Sequence, residues 1–344
     1  MKSRIPPRGV PLPPNFCSLI SIVRNPLQPH KLLALYHTMV MARAIYRRLW
    51  VLEKGNEVLR IHGESPPHLS GGGAGGAGGA EVIQVAAAAA LRPGTDWIVP
   101  HHRDLALCLA LGVSPLDVML TSLGRASDLG SRQARIVTTS GLAATHMPHA
   151  AGIAYASKLT GREEVTLASI DDRGTDAGDW HEALNFASTH RLPLICLVQD
   201  DFPRAAATPG QTATDLIVRR AHGYGMAAES IDGGDFDLAL ETLERAADRA
   251  RSGEGPTLVH ARLTALTSRT PRGAFQSQDQ LETAARLDPI ERMRRQLHEA
   301  QLLDDDGDDQ IQRGCITVVE SALKQARDTP MAQPVEALDN VLYA

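Results

Sequence analysis

The spacing of apolar residues along this chain first predicts helices. From Pro29 onward, the apolar positions of HKLLALYHTMVMARAIYRRLWVLEKG recur about every 3.6 residues, which indicates an amphipathic helix. Gly55 is the predicted end of that helix, because glycine commonly follows the last helical residue. A second helix is predicted for EVIQVAAAAAL, since alanine has the highest intrinsic helix propensity.

Farther along, short continuous apolar runs alternate with helical patterns. The runs at 164–170, 193–200 and 256–263 have the length and composition of buried strands. Helical patterns separate them, and the clearest are PHAAGIAYASKLTG, GDWHEALNFASTHRL, a segment at about 214–224 and DFDLALETLERAADRARSG. Strands joined by helices form parallel sheets through right-handed crossovers. The pattern therefore predicts an α/β fold of three layers, a parallel sheet flanked by helices.

The two ends of the chain differ from this central region. Residues 1–29 are Pro-rich and predict an extended N-terminal arm. Residues 30–300 form the predicted α/β domain, and residues 301–344 form a C-terminal tail that is mostly helical and charged. The glycine-rich run at 70–81 is interpreted either as a flexible loop or as a phosphate-cradling loop. It lacks the Gly-Lys-Ser/Thr ending of a nucleotide P-loop.

Composition narrows the classes of function. Hydrophobic residues make up 43% of the chain and charged residues 22%, with a formal net charge of −5, which is typical of a globular protein and not of a nucleic-acid binder. No run approaches the roughly 20 apolar residues of a membrane span. The four cysteines form no Cys-x-x-Cys pair, which argues against structural zinc. The expected location is the cytoplasm.

Polar residues follow two of the predicted strands, at 171–173 and at 199–203. Open α/β sheets bind their ligands at the carboxyl ends of the strands, so these residues are the first candidates for a site.

Several blocks of the sequence carry a resemblance to a known family. The segment GDWHEALNFASTHRLPLICLV resembles the one that follows the diphosphate-binding turn in alpha subunits of thiamine pyrophosphate-dependent 2-oxo acid dehydrogenases. The blocks LYHTMVMARAIYRRL, LRPGTDWIVPHHRDLALCLALGVSP, TTSGLAATHMPHAAGIAYASKLTG, QTATDLIVRRAHGYGM and LDPIERMRRQL are similar to other parts of that family, in the same order. The collinear resemblance runs from about residue 31 to residue 300.

The resemblance implies a thiamine diphosphate-binding fold and a cofactor site. In the family, a Gly-Asp-Gly turn and an Asn-Asn pair at the ends of two strands hold Mg²⁺ against the cofactor diphosphate. Here Asp171-Asp172-Arg173 and Asp200-Asp201 stand at those positions, and Asp172 and Asp201 are 29 residues apart, as the family spacing requires. The resemblance thus implies Asp172 and Asp201 as metal ligands. It also implies Arg103 as a cofactor-binding residue, since a guanidinium suits phosphate. Arg173, which replaces a family glycine, is a further candidate cofactor-binding residue, because it could hold phosphate or fill the space that the glycine leaves for it.

The altered turns change the charge of the implied site. Asp171, Asp200 and Asp201 each add a negative charge relative to the family pattern. Two unit charges about 5 Å apart at an effective dielectric constant near 20 repel by about 3 kcal/mol, so these acids oppose diphosphate binding. One alternative is that Arg173 pairs with the nearby acids and the site holds no cofactor. Another is that Arg103 forms only a surface ion pair with Asp104.

Acid–base candidates are few. The family carries a histidine in a loop after the third strand, where this chain has Thr267-Ser268-Arg269-Thr270. Arginine stays protonated near neutral pH and does not replace histidine as an acid–base group. His146 is the candidate catalytic residue, and its alternative is a structural role. His181 and Glu182 are adjacent on a predicted helix and do not face one another, so they do not form a dyad.

Three functions follow from these observations. The first is an alpha subunit that acts with a beta subunit in an α₂β₂ assembly, decarboxylates a 2-oxo acid with thiamine pyrophosphate and Mg²⁺, and passes the acyl group to a lipoyl carrier protein. The second is a non-catalytic relative that keeps the fold and the assembly surface. The third is a metal- or phosphate-binding protein, because four acids at two strand ends could hold a cation.

Overall fold

The computed structural model describes residues 27–55, 57, 78–126, 129–137, 144–200, 217–264, 266 and 286–333. The N-terminal arm up to residue 26, the glycine-rich run up to residue 77, Asp201 and the segment from Thr267 to Thr270 lie outside these ranges.

Five strands form one sheet. They are β1 (Trp97–Val99), β2 (Thr166–Asp171), β3 (Leu194–Asp200), β4 (Ala227–Asp232) and β5 (Thr257–Arg262). Every pairing is parallel and the spatial order is β1-β2-β3-β5-β4. The predicted parallel sheet is confirmed, and so are the three strands predicted from apolar runs.

Helices cover both faces of the sheet in the described ranges. They are α1 (Pro29–Lys54), α2 (Glu81–Ala90), α3 (Leu105–Ala110), α4 (Pro115–Ser122), α5 (His146–Leu159), α6 (Gly178–Thr189), α7 (Ile217–His222), α8 (Phe236–Arg251), α9 (Pro289–Glu299) and α10 (Asp305–Asp328). A short 3₁₀ turn, Arg173–Asp176, lies between β2 and α6. None of these helices is long and apolar enough to cross a bilayer.

The side chains of the central strands alternate between two apolar cores. Leu167 and Ile195 are buried in one core with residues of α1, α2 and α8. Their neighbours Ala168 and Cys196 are buried in the other core, against α5 and α6. Because successive strand residues point to opposite faces, this alternation places a helix layer on each side of the sheet. The predicted three-layer architecture is therefore confirmed.

Helix α2 crosses the centre of the first core. All of its residues from Glu81 to Ala88 are buried, which its small alanine side chains permit. Gly79 precedes it with φ +111°, and a Cβ on Gly79 would lie 2.1 Å from the carbonyl oxygen of Thr264. Only glycine fits here, so the chain enters α2 in direct contact with the segment that follows β5.

The helix of the C-terminal tail belongs to the first core. Cys315, Val319 and Leu323 on one face of α10 are buried there. Tyr36 of α1 donates a hydrogen bond of 2.7 Å to Asp308 of α10. In the described part of the tail, residues 301–333, the predicted helix is present, and it packs against α1.

Candidate functional site

The carboxyl ends of β1, β2 and β3 bring together polar residues that are far apart in the sequence. The loop after β1 carries Arg103 and Asp104, β2 carries Ser169 and Asp171, and β3 carries Gln199. Asp171 and Gln199 are register partners on adjacent strands. These five residues, called here the strand-end cluster, lie where a parallel sheet binds its ligands.

Arg103 is fixed at both its side chain and its backbone. Its Nη2 donates to Oδ2 of Asp171 at 2.5 Å, and the two side chains are only 14% and 15% exposed. Its carbonyl oxygen accepts hydrogen bonds from Tyr46 Oη at 2.6 Å and from Gln84 Nε2 at 3.2 Å. The guanidinium therefore has a defined position at the edge of the sheet. The alternative of a surface ion pair with Asp104 is wrong, because Arg103 pairs with Asp171 and Asp104 is buried.

Asp104 is the centre of a buried hydrogen-bond network. It accepts from Gln199 Nε2 at 2.6 Å, from the His101 amide at 2.9 Å and from the hydroxyl of Ser169. Gln84 Nε2 donates to Gln199 Oε1 at 2.9 Å, so helix α2 joins the network. Burial raises the pKa of Asp104 to about 6, against the lowering effect of these donors. The network holds the loop that carries Arg103 against β2 and β3.

The raised pKa of Asp104 gives a testable pH dependence. The folded state holds the Asp104 proton up to about pH 6, whereas the unfolded chain releases it near 3.8. The stability that Asp104 contributes is therefore complete below about pH 4 and is lost as the pH rises towards 6. The unfolding free energy of the wild type minus that of Asp104→Asn is expected to fall by about 3 kcal/mol over this window. Urea unfolding at several pH values measures it, and a constant difference would contradict the assignment.

The turn after β2 is compact and leaves no room for larger side chains. Asp171 Oδ1 accepts from the Gly174 amide at 2.9 Å, and the carbonyl of Asp172 accepts from Thr175 Oγ1 at 2.6 Å. A Cβ on Gly174 would lie 2.6 Å from the side chain of Ile170. The family pattern has a glycine where this chain has Arg173. The next residue, Gly174, must be glycine because this turn leaves no room for a Cβ.

Arg173 lies on the exposed side of this turn. Within the described ranges no ion pair joins Arg173 to another residue. The nearby acids also include Asp201, which lies outside those ranges, so the alternative that Arg173 pairs with them stays untested. Asp172 is half-buried in the turn that follows β2, and its role as a metal ligand stays a prediction. Asp201 lies outside the described residues, so the pairing of Asp172 with Asp201 stays a prediction.

Asp200 ends β3 as a buried carboxylate. Its Oδ2 contacts His260 Nε2 at 2.9 Å, and His260 Nδ1 lies 3.1 Å from Ser230 Oγ. The other oxygen, Oδ1, is buried and has no hydrogen-bond partner among the described residues. In the part of the chain that the structure describes, no group of three or more His, Cys, Asp or Glu side chains is arranged to hold a metal ion.

His146 begins α5 and is 3% exposed. Its Nε2 donates to the carbonyl oxygen of Ser169 at 2.7 Å, and its ring centroid is 6.3 Å from that of His101. Burial lowers the pKa of His146, which favours the neutral form of the ring. The hydrogen bond to β2 supports the structural alternative, although the ring lies beside the strand-end cluster. His181 contacts Tyr224 Oη at 2.5 Å, which is consistent with a supporting role on α6.

Comparison with known proteins gives the family of this chain. The family described as "Dehydrogenase E1 component" matches residues 73–335. The chain belongs to this family. Within the family, it is 31% identical over 322 residues to the 2-oxoisovalerate dehydrogenase subunit alpha of Bacillus subtilis, covering 89% of this chain and 94% of that one.

Two further E1 relatives are more distant or match a shorter segment. The 3-methyl-2-oxobutanoate dehydrogenase subunit alpha of Mycobacterium tuberculosis is 36% identical over 226 residues, which cover 63% of this chain and 60% of that one. The pyruvate dehydrogenase E1 component subunit alpha of Staphylococcus aureus is 27% identical over 267 residues, covering 76% and 71% of the two chains. All three relatives are, by their names, alpha subunits.

The residues present in this E1 chain fit a diphosphate held through a divalent cation. Carboxylate oxygens are the ligands that Mg²⁺ prefers, and Asp172 would offer them from the turn after β2. The buried Asp200 Oδ1 is an acceptor without a hydrogen-bond donor among the described residues, and a nearby cation would compensate for the missing donor. Arg103 supplies the positive charge that suits a phosphate group.

Sequence reasoning missed the residues that hold Arg103 in place, namely Tyr46, Gln84, Ser169 and Gln199. One signal could have found Gln84, because it is the only uncharged polar residue in the run EVIQVAAAAA. A polar side chain in the middle of a buried helix normally has a hydrogen-bond partner.

Proposed function

We propose that this chain is the alpha subunit of a 2-oxo acid dehydrogenase E1 component. The observation that carries the proposal is the position of Arg103 beside the strand-end acids, at the carboxyl edge of the sheet in a chain of the E1 family. The alpha-subunit relatives favour this function over the two alternatives, a non-catalytic relative and a metal- or phosphate-binding protein.

The proposal includes thiamine pyrophosphate with Mg²⁺. Asp172 and Asp201 are the proposed ligands of the cation, and Arg103 is the proposed partner of the diphosphate, with Arg173 at the exposed rim. When bound, thiamine pyrophosphate supplies the electron sink on which decarboxylation of a 2-oxo acid depends. The protein binds and orients this group, while the Asp104 network keeps the Arg103 loop in one position. Pyruvate and 2-oxoisovalerate, which appear in the names of the relatives, are the substrates to test first.

The proposed partners are a beta subunit in an α₂β₂ assembly and a lipoyl carrier protein that receives the acyl group, in the cytoplasm. The names of the relatives support the first of these, since an alpha subunit implies a second kind of subunit. The buried His146 is a candidate for lining the site.

Calorimetric titration tests the proposal. Thiamine pyrophosphate with Mg²⁺ is titrated into the full-length chain co-expressed with its beta subunit, and a Kd of about 10 μM or tighter is expected. Removing the divalent cation with a chelator is expected to abolish the binding heat, because the acids then repel the diphosphate.

Two matched variants test whether cofactor binding depends on Arg103 or on any surface arginine. Arg103→Ala is expected to weaken binding by about tenfold or more, since a charge-assisted hydrogen bond is lost. Arg92→Ala removes an exposed arginine, 55% of whose side chain is accessible, and is expected to leave binding unchanged. A well-folded complex that shows neither binding nor decarboxylation would overturn the proposed function.

A further inference from the structure

The Asp171 carboxylate is held by contacts at both of its oxygens. Oδ2 accepts from Arg103 Nη2 at 2.5 Å, and Oδ1 accepts from the Gly174 amide at 2.9 Å. The second bond belongs to the turn that begins the 3₁₀ segment, so it does not depend on Arg103. Asp171 therefore stays close to the guanidinium whenever the turn is intact.

The ion pair is shielded from solvent. Its side chains are 14% and 15% exposed, whereas the surface pair of Arg92 with Glu163 is 55% and 83% exposed and 3.9 Å long. Solvent and salt screen a charge less where water is excluded. Asp171 therefore neutralises much of the Arg103 charge, and an anion must compete with this carboxylate for the guanidinium.

The backbone of Arg103 is held in place, so it cannot easily carry the side chain away from Asp171. Tyr46 and Gln84 hold its carbonyl oxygen, and its neighbour Asp104 is buried in the network. The side chain alone could turn away from Asp171. A bound diphosphate must then either share the guanidinium with the carboxylate or take it over.

We propose that Asp171 is an internal counter-ion that competes with the cofactor diphosphate for Arg103 and so sets the affinity of the site. The inference rests on the proposed function in assigning a diphosphate to Arg103. It makes Asp171 an affinity-determining residue, not a metal ligand or a catalytic group. Mg²⁺ offsets the carboxylate, so cofactor binding depends on the cation more steeply than it would with an uncharged residue at position 171.

The test uses Asp171→Asn in the full-length protein co-expressed with its beta subunit. Asparagine keeps an oxygen that accepts from the Gly174 amide, so the turn is preserved while the charge is removed. The matched control is Asp176→Asn, because Asp176 lies in the same turn but pairs with Arg220 at 3.0 Å. Calorimetry measures the Kd of inorganic pyrophosphate and of thiamine pyrophosphate, each with Mg²⁺.

Asp171→Asn is expected to bind both probes about tenfold tighter or more, and Asp176→Asn less than about threefold tighter. In an Arg103→Ala background, the effect of Asp171→Asn is expected to shrink to that of the control, since the competition acts through Arg103. Tighter binding by Asp171→Asn that is equally large without Arg103 would overturn the proposed competition.

The remaining outcomes separate this inference from the proposed function. If the wild type binds thiamine pyrophosphate and Asp171→Asn binds it no better, the inference fails and the function stands. If only Asp171→Asn binds, the inference holds and the wild type is not a cofactor-binding subunit. If neither binds either probe although both are folded, both the inference and the function are overturned.

Discussion

Arg43→Met is expected to lower the free energy of unfolding by about 3–5 kcal/mol, because it leaves a fully buried carboxylate without its counter-charge. Arg43 Nε lies 2.5 Å from Glu81 Oε1 and Nη1 lies 2.8 Å from Asp288 Oδ2. The Glu81 side chain is 0% exposed, and it also accepts from the Gly79 amide at 2.7 Å. The guanidinium thus joins α1 to the beginnings of α2 and α9. Urea unfolding followed by circular dichroism measures the loss.

Arg48 provides a matched control on the same helix. It pairs with Glu320 at 2.9 Å, but the two side chains are 26% and 52% exposed. Arg48→Met is therefore expected to cost no more than about 1 kcal/mol, as is usual for surface pairs. Equal losses for the two variants would show that burial of Glu81 does not determine the cost.

Trp180→Ala is expected to lower the free energy of unfolding by about 3–5 kcal/mol, because it leaves a large cavity in the second core. Trp180 is 0% exposed and is among the largest fully buried side chains of the described residues. Its ring lies 5.0 Å from that of His181 and 6.5 Å from that of Tyr224, centroid to centroid. Thermal and urea unfolding measure the effect.

The same substitution is expected to loosen the turn after β2. Arg220 lies 6.0 Å from the Trp180 ring centroid and donates to the carbonyl of Thr175 at 2.9 Å. The control is Phe186→Ala on the same helix, where the side chain is 39% exposed and the expected cost is about 1 kcal/mol or less. If Trp180→Ala is as stable as Phe186→Ala, the surrounding core residues must rearrange to fill the cavity.

The sequence was sufficient for the central fold because β2, β3 and β5 are continuous apolar runs. It did not reveal β1, which has only three residues, or β4, whose sequence AAESID contains Glu229 and Ser230 and no apolar run. An edge strand packs less of its surface, so polar residues are tolerated and the strand signal is weak. Helix α1 was predictable to within one residue of its end at Gly55.

The candidate site was predictable only in part. The family resemblance located Arg103 and Asp172, but no local pattern could pair Arg103 with Asp171, which is 68 residues away. The bond between Gln84 and Gln199 spans 115 residues. Such contacts depend on the order of the strands and on the depth at which α2 crosses the sheet. Neither quantity is encoded in spacing along the chain.

The strand order has a consequence for how the protein is made. Strand β5 lies between β3 and β4, although both precede it in the sequence. Until residue 257 and the rest of β5 leave the ribosome, β4 lacks its only strand partner in the described sheet. One edge of β3 is also unpaired at that stage. Both edges can recruit other strands until β5 inserts. The described sheet is therefore completed only when β5 inserts and pairs with β3 and β4 together.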